Sequence, residues 1–312
     1  MTAPAHQDNT AHAVKTVHLI PRDSKIKTVC FDGATQSLRP NLVLVDYDGS
    51  VVFEINELGL KGDARDPSRK LAVVWGDSVV FGIRWSWPCL LDGLAPGYQF
   101  LNGGIEADPY DNILRRAADF NRAHAVALNI LMLGWHPVPS TPTVSGGGGL
   151  GAALRRLGDR LRPARSAPPA IDLLPGRDPQ YPQMRAALLA FLHTTPNTVL
   201  VTMPTALNQK IVDQDLSQYF TAGHRDTVFT FFGYLPYSVQ RQRFVFDHIT
   251  ARNAIVREVA QATGLRLIDL AVAFDTEALA DFREDFHDVI HLRPRAYPKA
   301  AAAIYAGIKD LL

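Results

Sequence analysis

Three residues whose types together perform acyl transfer stand near opposite ends of the chain: Ser78 in Gly76-Asp77-Ser78, and Asp288 with His291 in Phe286-His287-Asp288-Val289-Ile290-His291-Leu292-Arg293-Pro294. A serine hydroxyl is a weak nucleophile until a neighbouring base takes its proton, and an imidazole is a better base when a carboxylate fixes its tautomer. A carboxylate three residues before a histidine can hold Nδ1–H while the opposite ring nitrogen faces a serine. Val73-Val74-Trp75 reads as a buried strand, and Val79-Val80-Phe81-Gly82 as the entry to a helix. That places the hydroxyl at the carboxyl edge of a sheet, where helix N-terminal N–H groups stabilise developing negative charge. A helix N-cap is the other use of a serine at such a point, and the tripeptide alone leaves both readings open.

His287 and His291 also fit the H-E-x-x-H zinc pattern with Asp for Glu. That pattern needs both histidines on one helical face, and the β-branched Val289-Ile290 pair and Pro294 oppose a helix. The expectation is no metal, with His287 a surface or supporting residue.

The elements that must position these groups are legible from hydrophobic pattern. From Lys70 onward, apolar runs alternate with amphipathic stretches, the signature of a parallel sheet covered on both faces. The predicted fold is α/β, doubly wound, with a mainly five-stranded parallel sheet flanked by helices. Strand candidates are Leu71–Trp75, Gln99–Leu101, Ala127–Leu133, Thr198–Met203, Val228–Phe232 and Leu265–Leu270, five of which suffice for that sheet. Helices are predicted over Tyr110–Ala123, Met184–His193 and Phe246–Thr263. Residues 1–20 lack periodicity and read as a tail. Residues 21–64 read as a small β extension built from Lys27–Phe31, Asn41–Tyr47 and Val51–Ile55, with a hairpin turn at Asp48-Gly49. The main domain is 65–312.

Within it, 138–182 is rich in Pro, Gly and Arg and reads as an insertion. Leu150, Leu154, Leu157 and Leu161 recur there at helical spacing beside Arg155, Arg156, Arg160 and Arg162. A lid or anion-facing surface and a plain solvated helix are both compatible with that pattern.

At this point the chain resembles the SGNH (GDSL-like) hydrolases, in particular bacterial members reading N-x-L-G-x-[KR]-G, then G-D-S-x-x-x-G, then W-P-x-x-L. The matching residues are Asn56-Glu57-Leu58-Gly59-Leu60-Lys61-Gly62, Gly76-Asp77-Ser78-Val79-Val80-Phe81-Gly82 and Trp87-Pro88-Cys89-Leu90-Leu91, with Asp288 and His291 as the closing D-x-x-H. The resemblance spans residues 56–312 and implies the family's flavodoxin-like three-layer fold, with the short helix that follows its D-x-x-H falling at Ala296–Leu311. It implies a serine ester hydrolase acting on an acyl or acetyl ester of a carbohydrate or lipid, with Ser78, Asp288 and His291 catalytic and no cofactor. It also implies an oxyanion hole made by the N–H of Ser78, a second-segment backbone N–H and an asparagine side chain. The second segment is Leu101-Asn102-Gly103-Gly104-Ile105-Glu106-Ala107-Asp108, where Ala107 stands at the donor glycine if Asn102 sets the register, and Gly104 is the other candidate. In the third segment His136 replaces the asparagine, and a ring N–H can also donate to an oxyanion. Asp77 and Trp135 are expected to contact substrate. Trp85 and Trp87 lie nearby, the latter better suited to the core. An O-acyltransferase with the same nucleophile, and a non-catalytic binding protein, are the alternatives.

Composition suits a small neutral substrate or partner. Lys+Arg of 32 against Asp+Glu of 31 gives no general pull toward nucleic acid or anionic membranes. With 47% hydrophobic residues the chain can fill a sizeable core. Cys30 and Cys89 have no metal-ligand spacing and read as buried thiols. The longest apolar run, Ala125 to Trp135, is too short to span a bilayer, and the polar first sixteen residues lack the apolar core of a secretory signal. A cytoplasmic protein without a membrane span is expected.

Overall fold

The structure, a computed structural model, describes residues 15–19, 29–82, 86–134, 180–219, 227–230, 233–275 and 284–312. The N-terminal part carries strands β1 (Thr16–Leu19), β2 (Phe31–Asp32), β3 (Ser37–Leu38), β4 (Leu42–Val45) and β5 (Val51–Ile55). β4 and β5 pair antiparallel across the Asp48-Gly49 turn, where Gly49 takes a φ of 79°. β1 runs parallel to β4, so Thr16–Leu19 is a strand and not part of an aperiodic tail. Its pairing is carried by the backbone and leaves Val17 and Leu19 62% and 52% exposed, so no burial pattern announces it. Of the expected Lys27–Phe31 strand only Phe31 enters a ladder among the described residues, in the two-residue pairing of β2 with β3.

The main domain follows as β6 (Lys70–Trp75), α1 (Ser78–Phe81), α2 (Trp87–Leu94), β7 (Tyr98–Asn102), α3 (Tyr110–Ala123), β8 (Val126–Met132), α4 (Gln180–Thr194), β9 (Thr198–Val201), β10 (Thr227–Thr230), β11 (Gly233–Pro236), α5 (Val239–Thr263), β12 (Leu267–Ile268), α6 (Leu270–Ala273) and α7 (Tyr297–Ile308). Five strands form one all-parallel sheet in the order β12-β9-β8-β6-β7. Strand direction makes the period-2 faces decisive. Leu71, Val73 and Trp75 pack with Ile113 and Leu114 of α3, Met184 and Leu188 of α4 and Val256 of α5. Ala72 and Val74 pack with Trp87 and Leu91 of α2 and Ala300 and Ile304 of α7. Each Val, Leu, Ile or Met among them contributes roughly 1.5–3 kcal/mol when fully buried. The described residues of the sixth strand candidate, Val228–Phe232, lie outside this sheet, in β10, which pairs antiparallel with β11.

The first strand of the domain, β6, has β7 on one side and β8 on the other, so the chain reverses its direction of travel across the sheet there. The crevice outside the carboxyl ends of strands at such a reversal is where open α/β sheets bind ligands. No helix among the described residues is long and apolar enough to cross a membrane.

Candidate active site

Ser78 begins α1 directly beyond β6. Gly76 makes that short connection possible: a Cβ there would lie 2.3 Å from Val80 Cγ2 and 2.9 Å from the Met132 carbonyl oxygen. Asp77 is buried and caps α1, its Oδ1 accepting from Val79 N–H at 3.0 Å. The cap on this helix is therefore Asp77, which leaves the Ser78 hydroxyl for other use. The carboxylate expected to touch substrate serves the helix.

The second half of the site arrives in the 285–293 segment. Phe286 and Leu292 bridge antiparallel, His287 N–H donates to the His291 carbonyl at 3.1 Å, and both Thr205 Oγ1 and Ala206 N–H hold the Val289 carbonyl. This is a tight loop and not a helix. Asp288 Oδ1 accepts from the N–H groups of Ile290 (2.9 Å) and His291 (2.8 Å), and its Oδ2 accepts from His291 Nδ1 at 2.7 Å. His291 Nε2 lies 2.9 Å from Ser78 Oγ. With Nδ1–H given to the carboxylate, Nε2 is the acceptor and the serine hydroxyl donates. Asp288 is only 3% exposed, whereas Ser78 is 9% and the His291 side chain 17% exposed, so the serine and imidazole end of the series meets solvent.

Burial alone drives the imidazolium pKa down. The Asp288 carboxylate, with smaller help from Asp77 and Glu106, more than offsets this, and His291 is raised above its ordinary value. For Asp288 burial works upward and is outweighed by His291, by His287 and by the donated hydrogen bonds, holding the carboxyl well below the usual range. The arrangement is a base held in one tautomer, with a hydroxyl in line to lose its proton. Both ring nitrogens of His291 are thereby occupied. The His287 ring stacks on it at 5.4 Å between centroids, 14° from parallel, which is not the one-face helical pair a zinc site of that spacing requires.

The second segment crosses beside α1. Gly103 N–H donates to the Val74 carbonyl at 2.8 Å and Ile105 N–H to the Gly76 carbonyl at 3.1 Å. Gly104 N–H is spent on Asn102 Oδ1 at 2.8 Å, which corrects the expectation that it is an oxyanion donor. Ala107 sits at φ 55°, a left-handed conformation that suits glycine, as the Asn102 register implies. Neither its N–H nor that of Ser78 meets an acceptor among the described residues. Arg116 staples this segment: its guanidinium donates to Asp108 Oδ2 from Nε (3.1 Å) and Nη2 (2.6 Å), and to the Gly103 carbonyl from Nη1 (2.8 Å). Sequence reading missed Arg116; its only signal is a basic residue among the apolar positions of α3. Gly134, at the end of β8, packs against Asp77, and its carbonyl accepts from Arg252 Nη1 at 2.6 Å. His136, Trp135, Trp85 and nearly all of the 138–182 insertion, with its leucine and arginine pattern, lie outside the described residues. Trp87 is in the core, as its pattern implied. Cys30 is buried, Cys89 partly so, and both are free thiols.

No family model and no curated protein matches the chain by sequence. Among solved structures, the lipase/acylhydrolase from Enterococcus faecalis is similar at 16% identity and a TM-score of 0.47, covering 78% of this chain and 97% of that one. LAE5, an alpha/beta hydrolase from the metagenome of Lake Arreo, Spain, is similar at 16% identity and a TM-score of 0.43, over 80% and 98% of the two chains. An acetylxylan esterase from Geobacillus stearothermophilus is similar at 15% identity and a TM-score of 0.44, over 77% and 94%.

Proposed function

We propose that the chain is a serine ester hydrolase of the SGNH type. The observation that carries the reading is the hydrogen-bonded series Ser78 Oγ, His291 Nε2, His291 Nδ1, Asp288 Oδ2, with separations of 2.9 and 2.7 Å, at the carboxyl edge of the sheet. In this mechanism Ser78 Oγ attacks the ester carbonyl as its proton passes to His291 Nε2, and the tetrahedral oxyanion collapses with return of that proton to the leaving alkoxide. Water, deprotonated by the same nitrogen, then adds to the acyl-serine; its collapse frees the carboxylic acid and restores Ser78. Asp288 orients the ring and stabilises the imidazolium. The N–H groups of Ser78 and Ala107 are the oxyanion donors in this proposal, supported by their having no acceptor among the described residues. The substrate is a small acyl ester, in keeping with a near-neutral chain.

Initial rates on a series of p-nitrophenyl acyl esters test it. Ser78→Ala and His291→Ala should each lower turnover by on the order of a thousandfold or more with the fold retained. Full hydrolysis by either variant would overturn the assignment. Acyl transfer to an added sugar in preference to water would convert the reading to an O-acyltransferase.

A further inference from the structure

In the one-turn helix α1 the Ser78 carbonyl is met by the turn's own i→i+4 bond, and the next three, which have no partner inside the helix, are answered by side chains from outside. Ser78 O accepts from Gly82 N–H (2.9 Å), Val79 O from Trp87 Nε1 (3.2 Å), and Val80 O from Ser86 Oγ (3.0 Å) and Asn102 Nδ2 (2.9 Å). The fourth, Phe81 O, takes the ammonium of Lys61 at 2.7 Å, with Asn102 Nδ2 further off at 3.3 Å. Lys61 is 0% exposed. Its Nζ lies over the rings of Phe53 (4.5 Å) and Phe81 (4.6 Å), and its backbone bridges Ile55 on one side and Asn102 on the other.

Those contacts form a continuous path. Lys61 polarises the Phe81–Gly82 peptide at its carbonyl, and the N–H of that same peptide donates to the Ser78 carbonyl. The Ser78–Val79 peptide, so polarised, donates its own N–H to the Asp77 carboxylate. A cation and an anion thus terminate a chain of two peptide groups that runs through the serine itself, each at the helix end whose partial charge it complements.

We propose that Lys61 is a positioning residue for Ser78, fixing the backbone of the nucleophile turn from a strand connection outside the main domain. The inference rests on the proposed function, since it gives Lys61 a role only if Ser78 is the nucleophile. Lys61 is placed there against its own solvation: burial pushes the ammonium down to about 7, and the ionisable groups facing it are the Cys89 and Cys30 thiols, themselves raised by burial to about 11 and about 12. A buried cation without a carboxylate partner is a poor device for stability. Its benefit lies in the orientation it imposes.

The test is the rate at which a fluorophosphonate labels Ser78 in wild type and in Lys61→Met, which keeps the apolar stem between the two rings and removes the donors. Labelling and kcat should fall together by about tenfold to a hundredfold, the scale of a small misplacement of a reacting group, with KM within about twofold and Tm unchanged or higher. Wild-type labelling rates in the variant overturn the inference alone, as does a loss that accompanies a lowered Tm, which would mark a merely structural lysine. A wild-type protein whose Ser78 takes no label instead refutes the proposed function, and this role with it. If Lys61→Met does not fold, NMR of the wild type decides: the Gly82 and Val79 amide resonances should move with one midpoint as Lys61 titrates, and amides that stay fixed overturn the proposal.

Discussion

Ala107 shows how a single residue records what its site demands. It holds a left-handed φ of 55°, where an L side chain costs about 1–2 kcal/mol relative to the right-handed region. Replacing it by glycine removes that strain at some cost in chain entropy while keeping the N–H. Ala107→Gly should therefore raise Tm by about 2 °C and leave turnover within about twofold, as thermal melts and ester kinetics will report. A lower Tm would mean that the alanine methyl is favourably packed and the strain is not felt. The Asn102 register, read from sequence alone, had placed the family's glycine at this residue. The Gly104 N–H closes a local turn onto Asn102, a side-chain choice that no spacing reveals.

At the scale of elements, α3 and the segment that precedes it act as a unit. Arg116 and Asp108 are both buried and share two hydrogen bonds. Arg116→Met leaves the Asp108 carboxylate without its counter-charge and should destabilise the fold by roughly 3–5 kcal/mol, measured by denaturant unfolding. Arg116→Met combined with Asp108→Leu should recover much of that loss, since no charge is then left buried alone. If the double variant is as unstable as the single one, packing and not charge pairing is what Arg116 supplies. Helix and strand positions in the main domain were legible because both faces of the sheet are covered, so its strands read as apolar runs and its helices as stripes. Tyr110–Ala123 is predicted and found with the same ends. β1 was not legible, since its pairing buries neither Val17 nor Leu19. The closing turn that carries Asp288 and His291 was legible as chemistry rather than as structure. Its shape depends on Thr205 and Ala206, contributed by the loop after β9.

For the whole molecule, the strand order brings residues 213 positions apart into hydrogen-bonding range, so the site exists only in the assembled fold. Global stability should consequently set the pH range in which the site survives. His248, buried in α5 and 2.8 Å from the Tyr181 hydroxyl, is held neutral: burial, aided by Arg252, pushes it down to about 3. The unfolded chain protonates this histidine near 6.5 and the folded one only near 3, so between those values the unfolded state binds more protons and stability falls as pH falls. From pH 7 to pH 4 this one group should cost roughly 3 kcal/mol. His248→Gln should flatten that part of the profile of unfolding free energy against pH. An equally steep profile in the variant would place the acid sensitivity elsewhere, with the ion-paired carboxylates as the next groups to test.

The most direct test of the central claim is the pH dependence of covalent labelling by a fluorophosphonate, with the adduct mapped by mass spectrometry. Ser78 should carry the adduct, and its rate of formation should rise through a midpoint above the 6.5 of an ordinary histidine, because Asp288 holds the proton on His291. His291→Ala should abolish this rise. An adduct on another residue, or labelling of Ser78 at an undiminished rate without the imidazole, would contradict the assignment of nucleophile and base.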